Sequence, residues 1–597
     1  MREVSSPALY SAPDSVNAAD IVFEYAGSYP DVAVYSREEG ESWVDISCAE
    51  FAERVGALAR GFIAAGIGAG DRVALMSRTR FEWTLTDFAL LSIGAVVVPV
   101  YETSSPEQVS WILSNSGAVA AVAETEEHRA TIEQVRTETP DLREVWVIDA
   151  GDLDQLAGRA DEVDPQQLQD RRSATKADDT ATIVYTSGTT GRPKGCELTH
   201  RNLVTNSQNS VRSLDDVLTA NSSTLLFLPL AHVLARVIQM GCFTARVRVA
   251  HTSDITNLLP KFASFKPTFL LAVPRVFEKV YNSAEQTAVA GGKGKIFAAA
   301  AATAIDYSRS LDAGRTPIGL KLKHALFSKL VYGKLLAALG GECDKCVSGG
   351  APLGERLGHF FRGIGVEIYE GYGLTETSPV CSFNNVGQNK IGTVGRPLPG
   401  VSLRIAEDGE LLVHGDNVFK GYWHNPDATA EVLQDGWLHT GDLAAIDSEG
   451  FLSITGRKKE IIVTAGGKNV APAVLEDRLR AHALVSQVLV VGEQKPFIGA
   501  LVTLDREMLP GWLKEHGRDP ETPVAELMDD ELIQSEIQKG VDDANRAVSK
   551  AESIRKFVVL EPDFTEEGGH LTPSMKLRRQ VVAKDFADEI DGLYSAR

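Results

Sequence analysis

Cysteine is scarce in this chain. There are six in 597 residues, at positions 48, 196, 242, 343, 346 and 381. So few, so widely scattered, exclude a disulfide framework. Cys343 and Cys346 form a lone CxxC. No second ligand pair at zinc-binding spacing accompanies it, so two ordinary thiols are expected there. Positive charge is also short: 60 Lys and Arg stand against 81 Asp and Glu, a net −21. That excludes a general nucleic-acid binder, which needs a basic face. It leaves room for a local phosphate site, because a few basic groups and backbone N–H donors suffice for one. Long apolar runs are missing. Residues 84–100 are rich in apolar side chains, but Asp87 interrupts them and Pro99 stops them. No run reaches the roughly 18 residues of a spanning helix. The opening MREVSSPALYSAPDS has no apolar signal region, so a cytoplasmic protein is expected.

What is present is a large folded chain, 44% apolar and 24% charged. Its length exceeds one hydrophobic core, so at least two domains are expected. RVALM (72–76) reads as a strand, FEWTLTDFALLSIG as a helix and AVVVPV as a strand. PEQVSWILSNSG reads as a helix opened by Pro and closed by Gly, and AVAAVAE as another strand. This βαβα rhythm predicts a mostly parallel sheet covered by helices. Residues 157–180 read as a polar surface connection. A second run of the same kind passes through ATIVY, LLFLPL, PTFLLAVP, CVSGG and VEIYEGYG. Each piece ends at a Gly or Pro turn, where open α/β sheets place their ligands. From about Val401 the pattern changes to short strands with tight turns. The last 140 or so residues read as a small α+β unit, with strand-like KEIIVTAGG, VLVVGE and IGALVTLD. The division expected is 1–456 and 457–597.

Residues 185–195, YTSGTTGRPKG, crowd hydroxyls and glycines into one loop closed by Lys194. Glycines let backbone approach an anion closely, hydroxyls add donors and Lys194 adds charge. The spacing is not that of the P-loop, G-x-x-x-x-G-K-[ST], since Gly188 and Gly191 are three apart and Lys194 precedes Gly195. An ordinary flexible turn is the plain alternative. Thr199 reads as the N-cap of a following helix.

YTSGTTGRPKG resembles the signature loop of the adenylate-forming enzymes: acyl-CoA synthetases, luciferases and peptide-synthetase adenylation domains. Further motifs of that family follow in order. They are LPLAHVLAR (228–236), SGGAPL (348–353), YEGYGLTET (369–377), GWLHTGD (436–442), GRKKEIIVTAGGKNVAPAVLE (456–476) and LTPSMK (571–576). The resemblance spans nearly the whole chain. YETSSPEQV (101–109), LAHVLAR and EIIVTAGGKNVAP resemble bacterial long-chain fatty acyl-CoA synthetases in particular.

The resemblance implies a large N-terminal unit of stacked α/β subdomains plus a β-rich subdomain, and a small mobile α+β C-terminal unit. It implies two steps: a carboxylate attacks the α-phosphorus of MgATP, and CoA then displaces AMP. Thr186, Ser187, Gly188, Thr189, Thr190, Gly191 and Lys194 are then expected to cradle the β- and γ-phosphates. Gly350, Ala351 and Pro352 would flank adenine, and Tyr372, followed by Gly373, would stack on it. Thr375 would bond the α-phosphate and Glu376 would hold Mg²⁺. Asp442 and Arg457 would take the ribose. Lys459 matches the family's hinge, and Gly466 and Gly467 match the segment that approaches CoA. Lys576 would bridge substrate carboxylate and α-phosphate. His232 would sit by the acyl carboxylate, positioning it or acting as a base. Each has a plainer alternative: a packed aromatic for Tyr372, a helix N-terminal carboxylate for Glu376, a local turn for Asp442, a solvated lysine for Lys576.

Segments 237–243 and 269–281 are candidate walls for an acyl chain by family position, though tunnel lining and plain core read alike. Residues 315–339 carry Arg315, Lys321, Lys323, Lys329 and Lys334 and no acid, with partial helical periodicity in Leu322, Leu326, Lys329 and Leu330. A basic amphipathic helix can lie on the inner face of an anionic membrane. A surface helix with its apolar side on the core is the plainer expectation. The leading function is a long-chain fatty acid:CoA ligase. An acyl-AMP ligase that loads a carrier protein and a non-catalytic lipid- or nucleotide-binding relative are the alternatives.

Overall fold

The computed structural model describes residues 2–40, 42–186, 192–572 and 576–595. A seven-stranded sheet lies at its centre, in the spatial order Gly421–Tyr422, Lys194–Thr199, Thr180–Thr186, Val96–Val100, Arg72–Met76, Ala120–Ala123, Glu144–Val147. From Thr180–Thr186 outward to Glu144–Val147 all pairs are parallel. The other two pairs are antiparallel. The expected strand 72–76 is found as read, and the expected helices appear as Phe81–Ser92 and Pro106–Ser116. The second is opened by a Ser105 capping box with Pro at its first turn, and closed by left-handed Gly117.

Two details add to what was expected. The polar connection 157–180 is largely helical, with a turn at Ala160–Glu162 and a helix Pro165–Ala174 that buries only Leu168. Its polarity reports exposure, not lack of structure. A strand, Lys194–Thr199, antiparallel to Thr180–Thr186, precedes the expected cap: Thr199 caps the helix His200–Ser213 with Asn202 in a capping box.

Asp87, which breaks the apolar run 84–100, is fully buried against Arg236. Arg236 Nε lies 2.9 Å from its Oδ2, and Arg236 Nη1 donates to Thr182 Oγ1 at 2.6 Å. A buried ion pair persists only with close geometry and further hydrogen bonds, as here. The pair joins helix Phe81–Ser92, strand Thr180–Thr186 and helix Val233–Ala245, and so fixes the start of the last, where His232 stands.

A second sheet, Phe269–Ala272, Lys345–Ser348, Glu367–Gly373, Val380–Phe383, Arg396–Pro397, carries the SGGAPL and YEGYGLTET motifs at its strand ends. A third, antiparallel throughout, runs from Glu3–Ser5 through Ser402–Ile405 and Glu410–His414 to Trp437–Ile446 and Leu452–Arg457. These are the short strands expected after Val401. Beyond Arg457 the chain has cores of its own around Val485–Val491, Ile498–Leu504 and Ile554–Leu560. This part docks on helix Pro274–Ala290 through Arg275–Asp505 (2.6 Å), Lys279–Glu507 (2.7 Å) and Gln286 Nε2 donating to Met508 O (2.9 Å). Thr103 Oγ1, in the YETSS segment, donates to Glu566 at 2.8 Å. No helix among the described residues is long and apolar enough to cross a membrane.

Candidate active site

The site forms where the ends of the three sheets meet the segment around Lys576. Strand Trp437–Ile446 sets Asp442 opposite Arg457 on Leu452–Arg457, and Arg457 Nε lies 2.9 Å from Asp442 Oδ1. The other oxygen, Oδ2, accepts the Tyr372 hydroxyl at 2.5 Å. Asp442 is 3% exposed, so this carboxylate is oriented from both sides. Burial, then the Asp442 charge, push the Tyr372 phenol well above its usual range, so it stays a donor. The turn before Asp442 is held by Glu410, which accepts the Gly441 N–H at 2.8 Å and lies 3.2 Å from Lys458 Nζ.

Gly373 has a packing role beside its expected place at the nucleotide. A Cβ there would fall 1.8 Å from the Pro379 carbonyl oxygen, so the hairpin back to Val380–Phe383 closes only over glycine. Thr375 and Glu376 lie on the tight turn Thr375–Thr377. Tyr422 donates its hydroxyl to Glu376 Oε1 at 2.8 Å, and Lys194 Nζ sits 4.8 Å from the centre of the same ring. Burial first, then Glu376, hold that phenol protonated. Tyr422 thus links Lys194 to the carboxylate expected to hold Mg²⁺. Thr186 closes the strand before the loop, its Oγ1 3.4 Å from Lys194 O. Ser187, Gly188, Thr189, Thr190 and Gly191 lie outside the described residues.

Gly350, Ala351 and Pro352, expected to flank adenine, are exposed just beyond Lys345–Ser348. They are tied down by Leu353, whose N–H donates to Glu370 Oε1 at 3.0 Å. Burial pushes the Glu370 carboxyl up to about 7. His232 caps helix Val233–Ala245, and its Nδ1 accepts the Leu234 N–H at 3.2 Å. Burial, then the charge of Lys576, lower it to about 4. It is therefore neutral near pH 7, with Nδ1 used as acceptor and the proton on Nε2. That tautomer leaves Nε2 free to donate a hydrogen bond.

Lys576 has an exposed side chain, with enough protein around it to disfavour its charge. Its backbone N–H donates to Thr572 Oγ1 at 3.0 Å, and Leu571 pairs with Leu577 across the loop. Burial and then Arg457 lower its ammonium, while Glu376, Asp442 and Glu460 oppose that. Its charge and those of Arg457, Glu376 and Asp442 are thus mutually felt, and it is felt in turn at His232. Lys459 is exposed on the turn Lys458–Glu460. Gly466 and Gly467 are not brought in. They form an exposed tip between Ile462–Val463 and Asn469–Val470, with Gly467 at φ +74°.

Among the described residues no cluster of three or more His, Cys, Asp or Glu could hold a metal alone. Glu376 keeps one oxygen without a partner among the described residues. One hard carboxylate oxygen beside a phosphate site suits Mg²⁺, which takes its other ligands from phosphates and water. Tyr422, Glu370 and Glu410 are supports that sequence reasoning did not single out. Glu370 lies inside YEGYG and Tyr422 inside FKGYW, an aromatic run that was the one signal available.

This mixed α/β frame, with its separate C-terminal part, is the fold of the adenylate-forming enzymes. The chain belongs to the AMP-binding enzyme family. Residues 22–423 match the family's AMP-binding enzyme domain and residues 459–597 its AMP-binding enzyme C-terminal domain. It is 54% identical over 599 residues, covering all of both chains, to the long-chain-fatty-acid--CoA ligase FadD15 of Mycobacterium bovis. It is 29% identical to ACSBG2 of Xenopus laevis, a long-chain-fatty-acid--CoA ligase, over 96% of this chain and 82% of that one. Among solved structures, the anthranilate CoA ligase AuaEII with anthranoyl-AMP superposes at TM-score 0.72 with 18% identity, covering 96% of this chain and 98% of that one. A Mycobacterium tuberculosis fatty acyl CoA synthetase superposes at TM-score 0.62 with 21% identity, covering 96% and 99%.

Proposed function

We propose that this protein is a long-chain fatty acid:CoA ligase, forming acyl-adenylate and pyrophosphate from fatty acid and ATP, then acyl-CoA and AMP. The observation that carries the reading is the approach of Lys576, from the C-terminal part, to Glu376, Asp442 and Arg457. The 54% identity to a long-chain ligase over the full chain supports the acyl substrate.

Adenylation brings a carboxylate toward a triphosphate, so neutralising charge at the forming bond is the main task. Lys576 and the charges of Arg457, Glu376 and Asp442 are mutually felt, as are Lys576 and His232, and on this reading the Lys576 ammonium bridges the incoming carboxylate and the α-phosphate. The lysine side chain, partly desolvated, loses less of its field to water. His232 donates from Nε2 and orients the carboxylate. Asp442, held by Tyr372 and Arg457, accepts from the ribose hydroxyls. Tyr372, at the end of strand Glu367–Gly373, presents its ring to adenine. Thr375 donates to the α-phosphate; Thr186, Lys194 and the loop 187–191 take the β- and γ-phosphates. Glu376 would hold Mg²⁺, which supplies charge neutralisation to the phosphates when bound.

For thioester formation the division at residue 457 matters. Lys459 is the hinge on this reading, and rotation about it exchanges Lys576 for the Gly466–Gly467 tip, which then lines the CoA path. The acyl chain runs by 237–243 and 269–281. The enzyme works in the cytoplasm with peripheral contact to the inner membrane face through residues 315–339. The test is to incubate purified protein with MgATP and fatty acids of graded length, with and without CoA, and follow products by mass spectrometry. CoA-dependent acyl-CoA and AMP peaking with long chains is expected. Acyl-adenylate unchanged by CoA would instead assign a carrier-loading ligase, and no product with any acid a binding protein.

A further inference from the structure

The basic segment has an outward apolar ridge. Helix Ile318–Phe327 buries no residue, and it runs through a π-helical turn, Ser328–Tyr332, into Gly333–Ala338. Its inner side is accounted for. His324 Nε2 lies 2.6 Å from Gly363 O and its ring stacks on Tyr307 at 3.8 Å, while Phe327 and Val331 pack on the core. Ile318, Leu322, Leu326 and Leu330 are instead 78%, 68%, 56% and 56% exposed. The plainer expectation, a surface helix with its apolar residues turned to the core, therefore fails for these four.

The ridge is regular. Each four-residue step in an α-helix drifts about 40° around the axis. The i→i+5 bonding of the π-turn widens the helix and reduces the drift of the last step, which keeps Leu330 near the line of the others. Leu326 stands two positions after His324, about 200° around the helix, so the ridge lies opposite the packed side. The ridge is about 18 Å long.

Charge decides what covers it. Arg315, Lys321, Lys323, Lys329 and Lys334 flank the ridge, all are exposed, and no acid occurs between residues 315 and 339 of a chain with net charge −21. The acid just before the segment, Asp312, is already engaged by Arg362 at 2.6 Å. A second copy of so acidic a chain offers some attraction, but a single ridge flanked by cations on both sides matches an anionic bilayer: aliphatic side chains enter the acyl boundary and ammonium groups meet phosphates. We infer that Ile318, Leu322, Leu326 and Leu330, with their flanking lysines, are an in-plane docking helix for membranes rich in anionic phospholipid. Resting on the ligase reading, this gives the enzyme access to fatty acids where they partition, in the membrane.

The test uses the whole protein and vesicles of phosphatidylcholine with or without phosphatidylglycerol. Wild type is expected to co-sediment with the anionic vesicles and to be released by salt. Leu322→Glu/Leu326→Glu should lower partitioning at least tenfold, and each of Lys321→Gln, Lys323→Gln and Lys329→Gln should lower it about fivefold. All these side chains are exposed, so ATP–pyrophosphate exchange with octanoate should stay at the wild-type rate. Binding is read without turnover, so it stands or falls separately from the ligase assignment. Wild type that does not bind anionic vesicles, ridge variants that bind like wild type, or a wild-type dimer that the Leu322→Glu/Leu326→Glu change dissolves would each overturn the inference.

Discussion

The Tyr372 hydroxyl donates to Asp442 Oδ2 at 2.5 Å, joining the aromatic of one sheet to the carboxylate of another. The ring and the hydroxyl thus have separable roles. Tyr372→Phe keeps the ring and frees one oxygen of Asp442. A hydrogen bond to a charged group contributes about 1.5–3 kcal/mol, so the KM for ATP should rise about tenfold or more with the fatty acid KM unchanged. Steady-state kinetics with each substrate varied checks this. An unchanged ATP KM would remove Tyr372 from the ribose site.

Tyr422 orients Glu376 in the same way. Tyr422→Phe should raise the Mg²⁺ concentration needed for half-maximal pyrophosphate exchange several-fold, with little change at saturating Mg²⁺. A Mg²⁺ titration measures it, and a titration curve identical to wild type would contradict the assigned link.

Gly466 lies at an open tip where a Cβ would meet only Thr464 Oγ1, at 3.9 Å. Gly466→Leu should therefore fold normally and adenylate normally. Its CoA KM should rise, because a side chain would stand where the CoA path is proposed. A wild-type CoA KM would place that path elsewhere.

Burial lowers His200 and His251 to about 4, as it does His232 with the help of Lys576. An unfolded histidine titrates near 6.5, so between about 6.5 and 4 each binds its proton more in the unfolded chain, and each loses stability as pH falls. Above about 6.5 the contribution is complete. Glu370, raised to about 7, and Asp477, raised to about 6, act in the opposite sense within that window. A single substitution isolates one histidine. His200→Asn preserves an acceptor for the Ala18 N–H, which His200 Nδ1 takes at 3.0 Å. Its stability deficit against wild type should shrink by about 1.4 kcal/mol per pH unit below about pH 6. Urea unfolding at several pH values measures it, and a constant deficit would contradict the buried neutral state.

Much of the fold was legible because periodicity and turn chemistry are local. The strand at 72–76, the Ser105 and Gly117 ends of one helix and the Thr199 cap all follow from their own residues. The return strand Lys194–Thr199 was not legible, because its pairing with Thr180–Thr186 is a tertiary choice. Site residues in contiguous motifs, such as Thr375, Glu376, Asp442 and Arg457, could be named from sequence. Their supports could not. Tyr422 reaches Glu376 from 46 residues away, through a two-residue strand without a pattern of its own. The outward turn of Leu322 and Leu326 was also hidden, since periodicity gives an apolar stripe but not the side on which the rest of the protein lies.

The central claim is that Lys576 serves adenylation and not thioester formation. The most direct measurement compares Lys576→Ala with wild type in two assays: pyrophosphate exchange with a long-chain acid, and conversion of supplied acyl-adenylate to acyl-CoA. Loss of one well-placed charge-stabilising group should lower the first roughly 10²–10³-fold and leave the second near wild type. Equal losses in both, or none in the first, would contradict the account.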